Sequence, residues 1–319
     1  MARTAQAAET ASHEVAPEAT RAESLKRRIV NSSAYGFCVF EAAQLPRVRQ
    51  LLLTSAALAS ADSTGDEQLR GTILLSEEGV NIRLSGTRHA VDTMKQALRD
   101  AHEDLANMEF KDSYSERLTL PRMLVKIKKE VISMGDPDVT PATNGLATHI
   151  SPEDFKQWLD EDREMVVLDT RNDYEVRLGT FEKAVDLNIQ SFRAFPAAVH
   201  DHLQHVPKDT VVVMFCTGGV RCEKAAYTLL NDGREAVYQL DGGILKYFER
   251  VGGAHYKGDC YVFDDRVALT PALEESDAVA CFVCRSPLTR EDQRSVDYVA
   301  GLHCPYCRHG KPEIRSASS

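Results

Sequence analysis

Val211–Lys224, VVVMFCTGGVRCEK, is the stretch whose reading decides the rest of the chain. Val211–Phe215 is a short apolar run rich in β-branched residues, the pattern of a strand buried on both faces in a parallel sheet. The run stops at Cys216, passes through Gly218 and Gly219, and continues into CEKAAYTLL, where Ala225, Ala226, Leu229 and Leu230 recur at helical spacing. A cysteine at a strand end, then a glycine-bearing loop, then a helix, makes a cradle for an anion. The glycines let successive N–H groups turn inward, and the helix N-terminus adds partial positive charge. Both favour the thiolate, which is the reactive form. Arg221 adds a fixed cation at the rim, and Thr217, Gly218, Gly219, Val220 and Cys222 complete the loop. Four residues separate Cys216 from Arg221, one fewer than in the C-x5-R loop of cysteine phosphatases. The tighter ring suits a terminal sulfur on Cys216 better than a tetrahedral phosphate. Cys222 is either a second, resolving thiol or a residue packed under the loop.

Strands and helices alternate on both sides of this loop. MVVLDTR (Met165–Arg171) reads as a second buried strand ending in Asp169 and Arg171, and Ala236–Leu240 as a third. Ser151, Pro152 and Asp154 read as N-cap, first helical residue and N3 of a helix that buries Phe155, Trp158 and Leu159. The alternation predicts a doubly wound parallel sheet over residues 149–253. Ligands of such sheets bind beyond the C-terminal strand ends, where Cys216, Asp169, Arg171 and Asp241 fall. Asp169 and Arg171 either hold the loop or form structural ion pairs and caps.

Upstream, residues 29–135 read as a ferredoxin-like α+β domain of order βαββαβ, with one open sheet face. Its strands are Tyr35–Phe40, Gly71–Leu75, Val80–Ser85 and Met123–Ile127, the last closing the pattern. Its helices are Leu45–Ala59, with Val48, Leu51, Leu52 and Leu58 inward, and Thr87–Ala101. RMLVKIKKEVISMG is the only concentrated basic stretch. Its Arg122, Lys126, Lys128 and Lys129 either solvate a strand and block edge pairing or bind the phosphate backbone of an RNA. Residues 136–148, with Pro137, Pro141 and Gly145, read as a linker, and residues 1–28 as a disordered extension.

Residues 254–319 carry C-F-V-C at Cys281 and Cys284 and C-P-Y-C at Cys304 and Cys307, nineteen residues apart. C-x2-C-x19-C-x2-C is a four-thiolate zinc spacing, and so apolar-poor a tail needs a metal to fold, as a zinc ribbon does. A thioredoxin-type dithiol is the alternative reading of C-P-Y-C, but it lacks a βαβ setting.

Composition sets the class. Hydrophobic content of 43% and charged content of 27% are those of a globular protein. No apolar run reaches the roughly 20 residues that span a bilayer, and no signal core is visible, which places the chain in the cytoplasm. The net charge of −10 gives no general affinity for nucleic acid, so any RNA contact needs a local basic patch. No flavin or nicotinamide fingerprint and no iron triad is found.

CTGGVRCEKA resembles the active-site loop of the tRNA uridine(34) hydroxylase branch of rhodanese-domain proteins, and SEEGVN, KIKKE and FDDR are similar to further segments of that family. The likeness spans about residues 30–270. Tyr174, Glu175 and Gly179 match it too, whereas Thr180 and Phe181 stand where His-Ile is usual. The resemblance implies an α/β chain with a central rhodanese-like sheet. It also implies oxygen-dependent 5-hydroxylation of the wobble uridine, with molecular oxygen as co-substrate, and a partner that is tRNA rather than DNA. Cys216 would then be the catalytic cysteine, with Arg221 steadying its anion or a substrate phosphate. The residues by themselves also allow a sulfurtransferase carrying a Cys216 persulfide, or a non-catalytic tRNA-binding adaptor.

Overall fold

The computed structural model describes residues 29–61, 68–136, 139–141 and 147–310. The expected extension at residues 1–28, and residues 137–138 and 142–146 of the expected linker, lie outside them.

The N-terminal unit contains β1 (Ile29–Phe37), α1 (Leu45–Ala59), β2 (Arg70–Ser76), β3 (Gly79–Gly86), α2 (Arg88–Arg99), β4 (Lys111–Ser115) and β5 (Met123–Ile127). Alternation decides its faces. Ile73 and Leu75 on β2 and Val80, Ile82 and Leu84 on β3 are buried in one core with both helices. The intervening Thr72, Leu74, Asn81 and Arg83 line a cleft on the other face. Between β2 and β3 the chain turns at Gly79, where φ is +136° and a Cβ would lie 2.1 Å from the Gly36 carbonyl oxygen, so only glycine fits.

Two sequence expectations are corrected here. The sheet order is β4-β1-β3-β2-β5, so the strand that closes the ferredoxin-like pattern is β4, not Met123–Ile127. Met123–Ile127 is a fifth strand, added parallel to β2 at the opposite edge. The sequence KDSYS of β4 conceals it, because an edge strand with polar residues on both faces shows no apolar alternation. On α1, Leu51 and Leu58 are exposed, and the buried stripe is Leu45, Leu52, Ala56 and Ala59.

The second unit runs β6 (Thr148–Ile150), α3 (Pro152–Asp160), β7 (Val166–Asp169), α4 (Asp173–Val176), β8 (Gly179–Phe181), β9 (Val185–Asp186), α5 (Phe195–Leu203), β10 (Val212–Phe215), α6 (Val220–Asn231), β11 (Val237–Leu240) and α7 (Gly243–Val251). Its sheet, β6-β11-β10-β7-β9, is parallel at every pairing. Strand β10 lies at the centre with all four residues buried, and Val212 and Met214 enter one core while Val213 and Phe215 enter the other. The rest comprises β12 (Tyr256–Gly258), β13 (Cys260–Tyr261), β14 (Ala268–Leu269), β15 (Val279–Ala280), β16 (Pro287–Leu288) and α8 (Arg290–Arg294).

A buried cation joins the two units. The Lys224 side chain, only 1% exposed, places Nζ 2.8 Å from Glu78 and 2.8 Å from Glu130. Glu78 also accepts from the Val131 N–H at 2.7 Å, so turn, strand end and helix close on one another. Burial raises the Glu130 carboxyl, but the Lys224 hydrogen bond and charge and the Met134 and Gly135 N–H groups outweigh it and hold it below its usual 4.5. Stability from this group is therefore present above the ordinary glutamate range and lost as pH falls through the depressed folded value. Lys224→Met leaves two carboxylates without their cation and should cost about 3–5 kcal/mol. Denaturant titration should show the lower midpoint and the loss of that acid-sensitive component; an unchanged midpoint and acid limb would contradict the latch.

Candidate active site

Cys216 follows β10, and its sulfur sits in a ring of donors. The Gly219 N–H reaches Sγ at 3.1 Å, and the Arg221 N–H and the Cys222 thiol also donate to it. Gly219 has φ +103°, and a Cβ there would meet the Tyr35 hydroxyl at 2.8 Å, so both backbone and neighbour demand glycine. The loop's carbonyls are held as well. Those of Cys216 and Thr217 accept from the Ile244 and Leu245 N–H groups of α7 at 3.0 and 3.1 Å. The loop thus lies between the N-termini of α6 and α7.

Burial alone would raise the Cys216 thiol, but the Cys222 hydrogen bond, the Arg221 charge and the two backbone N–H groups hold it well below its usual value of 9.0. Cys222 moves the opposite way, pushed up by burial and by its hydrogen bond to the Cys216 anion and that anion's charge. The two shifts run in opposite directions, so Cys216 is the member of the pair that loses its proton first. Cys222 is packed under the loop, with its sulfur 3.7 Å from the Thr170 hydroxyl. Cys216 is 1% exposed and forms part of the cleft wall, so a reacting atom has to descend to it.

The other residues expected around the loop divide by partner. Arg221 gives both terminal nitrogens to Glu175, at 2.6 and 2.8 Å, in a fully buried pair. Arg171 is wholly buried, clamped on Asp169 at 2.9 and 2.7 Å, and Asp169 also accepts from Thr180 at 2.8 Å. Asp169 and Arg171 do not line the cleft with Cys216. Asp241 pairs with Lys246 at 2.6 Å.

The cleft, about 2070 Å³ in volume, lies between the open face of the N-terminal sheet and the Cys216 loop. Among the described residues its walls carry twelve Lys/Arg and eight Asp/Glu, against a chain with the opposite balance. Arg122, Lys126 and Lys128 lie on this wall, whereas Lys129 faces a separate shallow groove by Leu45 and Pro46. Tyr174, Tyr261 and Phe263 form an edge-to-face row in the cleft, with centroids 5.4 and 5.0 Å apart.

Sequence reasoning missed the groups that the N-terminal unit sends into the loop. Lys111 on β4 donates from Nζ to the Gly218 carbonyl at 2.6 Å and lies 5.4 Å from the Tyr35 ring centroid. Burial lowers the Lys111 ammonium, while the Cys216 charge works against that loss. Tyr35 donates to Glu223, a buried carboxylate of α6, at 3.0 Å. The only sequence signal for Lys111 was a polar strand, which says nothing of a loop 105 residues on.

Cys281, Cys284, Cys304 and Cys307 are buried, and their sulfurs lie within 4.8 Å of one another. The close pairs, at 3.9, 3.6 and 3.7 Å, suit one tetrahedral ion, whose thiolates would be roughly 3.8 Å apart. This knuckle packs on the second unit through Arg177, which lies 4.1 Å from the Tyr306 ring centroid.

Comparison with known proteins agrees with this arrangement. Residues 48–131 match the UPF0176 acylphosphatase like domain and residues 151–250 the Rhodanese-like domain. A protein of Cupriavidus taiwanensis named tRNA uridine(34) hydroxylase is 47% identical over 289 residues, covering 89% of this chain and 98% of its own. The chain belongs to the tRNA uridine(34) hydroxylase family. Members so named from Burkholderia cenocepacia and Paraburkholderia xenovorans are 45% and 44% identical, over 88% and 91% of this chain and 97% and 99% of theirs. The segments that marked the tRNA uridine(34) hydroxylase likeness in the sequence also meet in space: Glu78 of SEEGVN, Glu130 of KIKKE and Lys224 of CTGGVRCEKA form the latch.

Removing the ammonium beside the loop should weaken the thiolate. Lys111→Met is expected to raise the pH midpoint of Cys216 alkylation, followed by peptide mass spectrometry, by about one pH unit. An unchanged midpoint would show that Lys111 serves the loop backbone alone.

Proposed function

We propose that this chain hydroxylates the wobble uridine, position 34, of tRNA at C5, with Cys216 as the catalytic cysteine and molecular oxygen as co-substrate. One oxygen atom enters at C5 and the other leaves as water with two electrons from an external two-electron donor. The observation that carries the reading is a cysteine thiol held well below its usual value by surrounding donors, on the wall of a wide, locally basic cleft, in a chain sharing about 45% identity over nearly its whole length with proteins of that name. Arg221 is neutralised by Glu175, which takes both its terminal nitrogens. Arg221 would then tune the Cys216 anion.

A thiolate so placed can add to C6 of a uracil ring. The sulfur lone pair forms the S–C6 bond, the C5–C6 π pair moves toward O4, and C5 becomes the nucleophilic carbon. Once oxygen is attached at C5, the C5 proton is lost, its electron pair restores the C5–C6 double bond, and the S–C6 pair returns to sulfur as the thiolate. Glu175 holds the loop through Arg221 and Thr217, Asp169 and Arg171 brace the neighbouring strand β8, and Arg122, Lys126 and Lys128 attract the RNA backbone along the facing wall. The row of Tyr174, Tyr261 and Phe263 offers ring faces to an unstacked base. A tRNA substrate and eight free cysteines fit a cytoplasmic location. No helix among the described residues is long and apolar enough to cross a membrane.

Supplying Cys216→Ala to a strain lacking the gene should leave its tRNA without 5-hydroxyuridine, measured by nucleoside mass spectrometry, while the wild-type gene restores it. Full modification by Cys216→Ala, in a strain with no other source, would overturn the assignment.

The four-cysteine knuckle is read as a structural zinc site. Purified protein should hold about one zinc per chain, and Cys304→Ser should lose it and expose residues 279–310 to protease. A metal-free chain whose tail resists protease equally well would contradict this.

A further inference from the structure

The sequence offers Arg221 for a substrate phosphate, yet Arg221 has given both terminal nitrogens to Glu175. A second arginine shares the Phe263 ring with it and has no carboxylate partner among the described residues. Arg83 on β3 has Ser33 and Thr72 as its cross-strand neighbours, both neutral. Its Nη1 donates to the Phe263 carbonyl at 3.1 Å, and its head lies 4.8 Å from the Phe263 ring centroid. Arg221 lies 5.7 Å from the same centroid. Among the described residues no carboxylate comes within ion-pair distance of Arg83. Asp264, the nearby candidate, is occupied by Arg266 at 2.9 and 2.6 Å. A guanidinium carries five N–H donors. Arg83 is half-buried and lines the same cleft as Cys216, and none of its nitrogens is among the buried atoms lacking a partner, so its unused donors are not sealed off from the cleft. Burial and the neighbouring Arg221 both disfavour its charge, and nothing placed beside it compensates fully.

We propose that Arg83 binds a phosphodiester of the RNA strand next to the nucleotide that enters the cleft toward Cys216. The inference rests on the RNA reading above and names the group that holds the strand there. A planar fork matches two phosphate oxygens, and partial desolvation strengthens such charge-assisted bonds. Phe263 braces the fork and, with Tyr261, presents aromatic surface to the adjoining base. The two arginines divide the work: Arg221, neutralised, shapes the thiolate site, and Arg83, not neutralised, takes the substrate. This also gives the N-terminal unit a share in catalysis, since its open face supplies the anion contact that the Cys216 loop lacks.

The test is a salt titration of binding, with steady-state kinetics, on full-length tRNA bearing an unmodified U34, for wild type, Arg83→Gln and Arg83→Lys. Glutamine keeps a donor for the Phe263 carbonyl, and an unchanged melting temperature checks that the fold survives. Arg83→Gln should raise KM about tenfold and flatten the slope of log affinity against log salt by roughly 0.7, one single-strand phosphate contact. Its kcat and its rate of Cys216 alkylation should stay at wild-type values. Arg83→Lys should keep the wild-type slope with part of the affinity. The proposal is overturned if Arg83→Gln retains wild-type KM and slope, or if it slows Cys216 alkylation, which would mean that Arg83 acts on the loop. Should glutamine lower the melting temperature, the lysine variant decides, a wild-type KM with lysine counting against the bidentate contact. If wild type binds tRNA but yields no hydroxylated product, the hydroxylase reading fails, while the binding slopes still decide the role of Arg83.

Discussion

The structure depends on keeping one negative charge in a nearly dry place. A sulfur anion without donors would be unstable under so little exposed surface, and burial by itself would restore its proton. The chain answers with the Gly219 and Arg221 N–H groups, the Cys222 thiol and the Arg221 charge. Each needs something behind it. Gly219 needs a positive φ, Arg221 needs Glu175 to offset its own burial, and the loop carbonyls need the first turn of α7. The central strand, two helix N-termini and a buried ion pair are all spent on one atom.

The cleft follows from the same constraint. A parallel sheet exposes its strand ends but cannot by itself supply a facing wall wide enough for a nucleotide. The N-terminal sheet, with helices on one face only, brings its other face against the loop and is fixed there by the Lys224 latch and by Lys111. Its contribution is chemical as well as mechanical. Lys111 puts an ammonium beside the loop, Tyr35 ties off the Glu223 carboxylate of α6, and the basic residues of the facing wall reverse the sign of the chain's net charge locally.

What the sequence disclosed and what it concealed divide along contact distance. The strand, loop and helix around Cys216 are contiguous, so their pattern could be read from local spacing, and the four cysteines of the tail could be paired by their two short intervals. Lys111, Arg83 and Tyr35 could not, because each is an ordinary polar residue on an N-terminal strand whose meaning comes from a partner more than a hundred residues away. Glu78 and Glu130 were visible as shared segments, but their purpose appears only when Lys224 is seen between them. Met123–Ile127 drew the assignment of the closing strand because it is apolar, while the true closing strand, Lys111–Ser115, lies at a polar edge. The sequence offered Arg221 as the cation of the loop, but nothing in its neighbourhood announced that Glu175, 46 residues earlier, would take both its nitrogens.

The account stands or falls on the ionisation of Cys216. Ultraviolet thiolate absorbance of Cys222→Ser, minus that of the Cys216→Ser/Cys222→Ser double variant, measured across pH, reads it directly, because the thiol coupled to Cys216 is absent from both and the remaining cysteines cancel in the difference. The structure requires one thiolate already present at neutral pH and titrating well below the ordinary thiol range. A difference signal that is absent at pH 7 and rises only near the ordinary thiol value would mean that the ring of donors does not hold an anion.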